Sequence, residues 1–507
     1  MPDGIRGVWG SVVGTRRSSK RQRPGDHRDC DARIAQLTAL VEKLQATVNE
    51  QAKVIDRQAA DIRELKRRLG EDSSNSHKPP STDPPTRGPR QGAERGKRKP
   101  GGQPGHEGRT RELLPPEQVD EILDHKPPAC RSCGSRLRGV DPTPQRHQVT
   151  ELPPVVPTVV EHRLHSLECS CGERTRAELP AGVPTGSFGG RLQALVGLFT
   201  GAYRVSKRNT VQLFADCYGV EIALGSIKRI EDDLSRSLAA PVEEAKEYVR
   251  SQPVVGMDET GWRERRRRAW LWTATTALVV VFVIRFSRGS KVAKELAGED
   301  YAGRVVSDRW AGYTWIPPER RQLCWAHLKR DFQKIAESGG ALAEIGEALQ
   351  ARRKQLFAWW HRVRDGTLKR STFQAYVRPL REEVCDLLRR GEACTDEKLS
   401  GMCAEILKLE VAMWTFVRVS GVEPTNNQSE RALRHAVIWR KTSFGTQSEA
   451  GSTFVERILT TVATLRLQQR NVLDYLAEVC SNALRGEDAP SLLPSPVQTR
   501  GARRLTG

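Results

Sequence analysis

Three carboxylates stand in settings suited to phosphodiester chemistry. They are Asp258 in Asp258-Glu-Thr-Gly-Trp262, Asp308 in Val306-Ser-Asp-Arg-Trp-Ala-Gly-Tyr313, and Glu430 in Asn426-Asn-Gln-Ser-Glu-Arg-Ala-Leu-Arg434. Breaking a phosphodiester requires an activated water or hydroxyl and stabilisation of the leaving oxygen, which two divalent ions roughly 3.5–4 Å apart supply. Mg²⁺ takes hard oxygen ligands and keeps several waters, so a few carboxylates suffice, and Mn²⁺ suits the same ligands. Taken singly, each of the three acids is better explained as a surface or helix-capping carboxylate.

A second constellation is Cys130-x-x-Cys133 and Cys169-x-Cys171, each pair followed by a glycine, Gly134 and Gly172. Four thiolates from two tight turns can complete a tetrahedral structural Zn²⁺ site. The second pair is one residue tighter than usual, and four ordinary thiols is the competing reading. His147, His162 and His165 are substitute ligands or plain surface histidines.

The elements that must position the acids follow from pattern. Pro253 to Met257 reads as a short buried strand ending at Asp258. Ala269 to Thr276 and Leu278 to Phe286 are rich in β-branched and aromatic residues and read as strands. Arg265, Arg266, Arg267 and Arg268 then fall in the connecting turn, as phosphate contacts or as a solvated hairpin tip. A helix over Lys291 to Ala297 and a strand Arg304 to Ser307 lead to Asp308. Three strands, a helix and a further strand give a mixed α/β sheet with both aspartates at strand ends. Glu430 falls in the first turns of a helix for which Asn426 or Asn427 is a suitable N-cap. Arg431 and Arg434 lie beside it and can face phosphates. Between Asp308 and Glu430 a largely helical insertion, about 333–420, holds Trp359, Trp360, Phe373, Leu387, Leu388 and Trp414.

Composition sets the partner class. Lys and Arg number 82 against 62 Asp and Glu, a formal net charge of +20. Such an excess points to a polyanion, because each neutralised phosphate releases a counterion; a solubilising surface is the plainer alternative. No apolar run reaches the ~20 residues that span a bilayer, and the arginines at 16, 17, 21 and 23 precede no apolar core, so neither a membrane span nor a signal peptide is expected. The eleven cysteines are odd in number and mostly scattered, which argues against a disulfide framework and for a reducing cytoplasm.

Upstream of the acids, residues 1–30 are polar and basic; they are expected to be disordered and leave the true start open. Residues 31–70 place Ile34, Val41, Val48, Ile55, Ile62 and Leu69 at one heptad position and Leu37, Leu44, Gln51, Gln58 and Leu65 at the other. This predicts a parallel two-stranded coiled coil, hence a homodimer or larger assembly; a helix packed on its own domain is the alternative. Residues 71–112 form a basic Pro/Gly linker with two distinctive strings, Asn75 to Asp83 and Lys99 to Glu107, read as extended backbone along phosphates or as a plain spacer. Residues 113–180 form the zinc-finger-like module. Residues 186–250 predict a helical bundle, with a third helix capped by Ser226 and with Ala215 and Gly219 spaced as in a helix-turn-helix, although the next apolar residue does not fit that motif.

The acidic strings, together with Cys324-Trp-Ala-His-Leu-Lys-Arg-Asp-Phe332, strongly resemble the insertion-sequence-66 family of transposases. The linker strings and the cysteine pairs resemble that family's leading region, so the resemblance covers roughly residues 31–485. It implies a ribonuclease-H-like domain of the Asp-Asp-Glu type, with Asp258, Asp308 and Glu430 as catalytic residues and as ligands of two Mg²⁺ or Mn²⁺ ions. The catalytic core would run over 251–332 and 421–454, followed by a small helical segment 455–485 and a disordered tail 486–507. His327 would lie near the site, touching a phosphate or orienting its own segment. Arg330, Asn427, Arg431, Arg434 and Lys441 are the further candidates for contact with DNA. The implied activity is strand cleavage and transfer at element ends, on double-stranded DNA at the ends and the target, in the cytoplasm at the nucleoid, with accessory proteins of the same element as further partners. A non-catalytic DNA-binding regulator is the alternative.

Overall fold

The computed structural model of the protein describes residues 28–70, 111–338 and 340–493. The linker strings, most of the two termini expected to be disordered, and the side chains of Leu65 and Leu69 lie outside the described residues.

The chain divides into two units, one ending at Asp83 and one beginning at Pro84. The first contributes a single helix of 43 residues, α1 (Arg28–Gly70), starting slightly earlier than the heptads suggest. Ile34, Leu37, Val41, Leu44, Val48, Ile55 and Ile62 are each more than half exposed along it. Among the described residues, no helix is long and apolar enough to cross a membrane.

In the second unit, extended chain carries a small hairpin, β1 (Ser166–Glu168) and β2 (Arg174–Arg176). Helices α2 (Gly190–Gly197), α3 (Lys207–Tyr218), α4 (Leu224–Ser237) and α5 (Ala239–Ser251) follow. The expected cap at Ser226 is corrected: α4 starts at Leu224, and Ala223 precedes it without a side-chain cap. Its buried Ile227, Ile230 and Leu234 set the helix by packing instead.

A five-stranded mixed sheet follows. Its strands are β3 (Val254–Glu264), β4 (Arg267–Thr275) and β5 (Val280–Arg285), then, after α6 (Ser290–Ala297), β6 (Arg304–Ser307) and β7 (Arg321–Leu323). The spatial order is β5-β4-β3-β6-β7. β3, β4 and β5 form an antiparallel meander, and β6 and β7 run parallel to β3. Two expectations change here. β3 is long and Asp258 lies within it, opposite Thr273, rather than at its end; Asp308 does follow the last residue of β6. Of the four arginines, Arg265 and Arg266 make the turn while Arg267 and Arg268 already belong to β4, paired with Glu264 and Arg263.

Six helices separate β7 from the third acid: α7 (Trp325–Ala336), α8 (Gly340–Arg364), α9 (Arg370–Glu392), α10 (Glu397–Lys408), α11 (Glu410–Met413) and α12 (Thr415–Arg418). They share a second core with the β6–β7 edge of the sheet, through Val306 and Leu323, and Trp325, Trp360, Phe373, Trp414 and Phe416 belong to it. Helix α13 (Asn427–Ser443) returns to the sheet, and α14 (Glu449–Leu467) and α15 (Val472–Arg485) complete the fold. α14 packs on β5: Thr464 and Thr460 hydroxyls accept from the amides of Val280 and Phe282, and Glu456 accepts from that of Ile284. Residues 486–493, within the tail expected to be disordered, are held against the fold: Leu492 is fully buried and its carbonyl accepts from Gln468.

Candidate active site

Successive residues of a strand face opposite sides of the sheet, so Gly256, Asp258 and Thr260 share the side that α13 covers. Helix α13 reaches it through Ser429, Leu433, Ala436 and Trp439, buried at helical spacing. Contacts at both ends fix its register on β3 and β4. At its start, Asn426 Nδ2 donates to the carbonyl of Met257 at 2.7 Å, and Ser429 Oγ lies 2.7 Å from Thr275 Oγ1. At its end, Arg440 donates to Thr260 Oγ1 at 3.0 Å and to the carbonyl of Gly261. Position 256 must be glycine for this approach, since a Cβ there would lie 2.7 Å from both Ser429 Oγ and Thr275 Oγ1. The Asn426 side chain therefore does not cap α13, as expected of it, but binds the helix to β3.

Glu430 follows one residue after Ser429, in the first turn of α13. Burial, together with Glu259, Asp308 and Glu430, holds the Asp258 carboxyl well above the usual carboxylate range. The neighbouring acids thus come from three segments far apart in sequence. Asp308 Oδ1 accepts from the amide of Trp310 at 2.9 Å, and Asp258 Oδ1 from that of Glu259 at 2.9 Å.

Residues not singled out by pattern surround the acids. Glu259 is buried, salt-bridged to Arg288 at 2.8 Å and accepting from Tyr313 Oη at 2.6 Å. Burial raises its carboxyl, and Tyr313 and Arg288 pull against that rise. The fully buried Arg321 of β7 donates to the carbonyl of Asp308 at 3.0 Å; burial pushes its guanidinium down to about 10. Cys324 accepts from the amide of Asn426 at 3.2 Å, and burial pushes its thiol up to about 11. The Cys324-x-x-His327 spacing was the available signal for this residue, since it puts both side chains on the first turn after β7.

His327 Nδ1 lies 3.6 Å from Glu430 Oε1. Burial and Arg330 lower the imidazole, while Asp308 and Glu430 pull it the other way. Donor atoms of Cys324, His327 and Glu430 lie within 4.8 Å of one another, the one such group of three or more among the described residues. Neither the two cysteine pairs nor Asp258, Asp308 and Glu430 together form such a group. Each cysteine pair instead forms its own tight turn: Gly134 N donates to Cys130 O at 2.9 Å, and Gly172 N to Cys169 O at 2.8 Å. Both glycines have positive φ, 73° and 86°. Of the DNA-contact candidates, Arg431, Arg434 and Lys441 lie exposed along α13, Arg265 to Arg268 are exposed at the β3–β4 hairpin, and Arg330 is half-buried on α7. Asn427 is the first residue of α13.

Neighbouring carboxylates of this kind are a donor set that a hard divalent cation suits. Crowded carboxylates that raise one another's proton affinity are relieved by a hard cation.

A family model described as "Transposase IS66 family" matches residues 200–453, half of the chain, and takes in all three acids. The chain belongs to the IS66 family of transposases. A second model, for a family of unknown function, matches residues 24–112. Two curated relatives from Sinorhizobium fredii are both named as uncharacterized proteins. The chain is 23% identical to y4qI over 44% of its own length and 46% of that protein's, so it spans about half of y4qI. It is 24% identical to y4hP over 71% of each.

Proposed function

We propose that the chain is a transposase that cleaves and transfers DNA strands at the ends of an insertion sequence, with Asp258, Asp308 and Glu430 as catalytic metal ligands in a ribonuclease-H-like core. The observation that carries this reading is that Asp258 and Asp308 belong to neighbouring parallel strands, β3 and the end of β6, beneath the start of α13 that carries Glu430. Burial and like charges around Asp258 are costly for folding, a cost that a cationic ligand would relieve. Bound Mg²⁺ or Mn²⁺ would activate the attacking oxygen and stabilise the leaving one. The protein's own part is positional. Asn426 and Gly256 set the height of Glu430 over β3, Arg321 holds the backbone at Asp308, and Tyr313 with Arg288 fixes Glu259 beside Asp258. The exposed arginines of α13 and the hairpin would hold phosphates.

Around this core we place a dimerising coiled coil at α1, a structural zinc on the two cysteine turns, and DNA contacts in the helices over 186–250. The test is metal-dependent cleavage of duplex DNA carrying the sequences that flank the gene. Wild type cleaves with Mg²⁺ or Mn²⁺, and Asp258→Asn binds the same DNA without cutting it. Undiminished cutting by the variant sinks the assignment. Binding without cutting by wild type, unchanged when companion proteins of the element are added, favours the non-catalytic regulator.

A further inference from the structure

We propose that the outer face of α13 is a rail for duplex DNA and that it ends in an aromatic wedge, Phe444, that enters the base stack. The inference rests on the reading above for its partner, DNA, but not for its chemistry. Arg431, Arg434, Ile438 and Lys441 are exposed along one face of α13, spaced three or four residues apart. The face leads to Phe444, 76% exposed, and to the hairpin tip with Arg265, Arg266, Arg267 and Arg268.

Phe444 adopts φ +59°, in the left-handed region that bulky residues avoid, and Arg265 across from it adopts φ +54°. The surroundings enforce both. Phe444 N donates to Arg440 O at 2.9 Å, Thr446 N to Arg263 O at 2.9 Å, and Arg265 N to Thr446 O at 2.7 Å. Gly445, at φ +107°, sits so close that a Cβ would come 2.1 Å from the carbonyl of Arg263. A glycine at 444 would meet the same backbone without strain. A phenylalanine there gains little burial in return, so folding does not explain it, and strained positions of this kind cluster at functional sites. An apolar wedge flanked by arginines is the arrangement by which proteins unstack a base step and grip the phosphates on either side. At ~1.5 Å per residue the step from Glu430 to Phe444 is roughly 21 Å, about six base pairs at ~3.4 Å each.

The experiment uses the full chain without divalent metal, so that cleavage plays no part, and a 30-base-pair duplex with 2-aminopurine at several positions. Wild type should bind the duplex and raise the fluorescence as bases unstack. Phe444→Gly should keep or raise the melting temperature, yet lose the fluorescence rise and weaken binding by about 5- to 150-fold, the range of a lost base–aromatic stack. Phe444→Leu should retain most of the rise. Arg266→Ala should flatten the salt dependence of binding and leave the rise at saturation intact. An equal fluorescence rise from Phe444→Gly at saturation overturns the wedge, as does a change confined to self-association. Failure of wild type to bind duplex DNA overturns the functional reading as well, whereas loss of cleavage alone touches neither the rail nor the wedge.

Discussion

His327 Nδ1 faces Glu430 Oε1 at 3.6 Å from a position three residues after Cys324, whose Sγ lies 4.0 Å from the same oxygen. A helix that begins right after β7 therefore supports the acid delivered by α13, and the third carboxylate is held from two sides. Buried Nδ1 makes no hydrogen bond of its own, so its role is toward Glu430 or what Glu430 binds.

Replacing His327 should thus damage function more than folding. His327→Gln is expected to lower strand cleavage by on the order of 10–100-fold, the usual cost of removing a group that orients a metal ligand, with little change in thermal melting. Cleavage within twofold of wild type would leave His327 a purely structural residue.

Asp258 carries an electrostatic cost in the metal-free protein, since burial and three neighbouring acids all oppose its charge. Asp258→Asn should melt higher than wild type in EDTA. Mg²⁺ should raise the melting temperature of wild type, as any ligand of the folded state does, and raise that of the variant much less. A variant that melts lower than wild type in EDTA would contradict this account of the site.

Gly256 sits where α13 approaches β3 most closely. Gly256→Ala forces Ser429 or Thr275 aside and should cost about 1–3 kcal/mol in denaturant unfolding, as overpacking does. Because the displaced element carries Glu430, cleavage measured well below the unfolding transition should also fall. Full activity with reduced stability would show that the height of α13 is not critical.

The two cysteine turns predict about one zinc per chain. Ser135 and Cys130 hold the Cys133 thiol down to about 7, which favours the thiolate that zinc requires. Elemental analysis of the purified protein should find the metal, and Cys133→Ser should lose it. Less than about half an equivalent in wild type would count against the site.

Helix α1 exposes its apolar stripe when it stands by itself. Light scattering should give at least a dimer, and Val41→Lys with Val48→Lys should give a monomer, since two charges at a positions oppose the seam. A monomeric wild type removes the coiled coil.

Much of the fold was legible locally. The β-branched runs of β4 and β5, the short strand before Asp308 and the uninterrupted helix α1 announce themselves because side-chain period and propensity act over a few residues. The three acids were legible as candidates through the strings around them. β7 was not, because Arg-Gln-Leu shows no strand pattern: Arg321 and Gln322 are buried in it only because Asp308 O, Met413 O and the Phe416 amide wait as partners. Phe444 gave no signal either, since its backbone angle is imposed by the bonds that Thr446, two residues on, makes to Arg263 and Arg265 of the hairpin.

The sequence by itself determined which residues could bind metal or phosphate and which segments would be strand or helix. Only the tertiary structure decided that Asp258 lies inside β3, that Gly256 admits α13, and that Cys324 and His327 stand against Glu430. The reason is physical. Local pattern is written in the torsions and burial of neighbours, whereas the distance between acids on separate elements depends on strand register and helix packing, which arise only when distant segments close on one another.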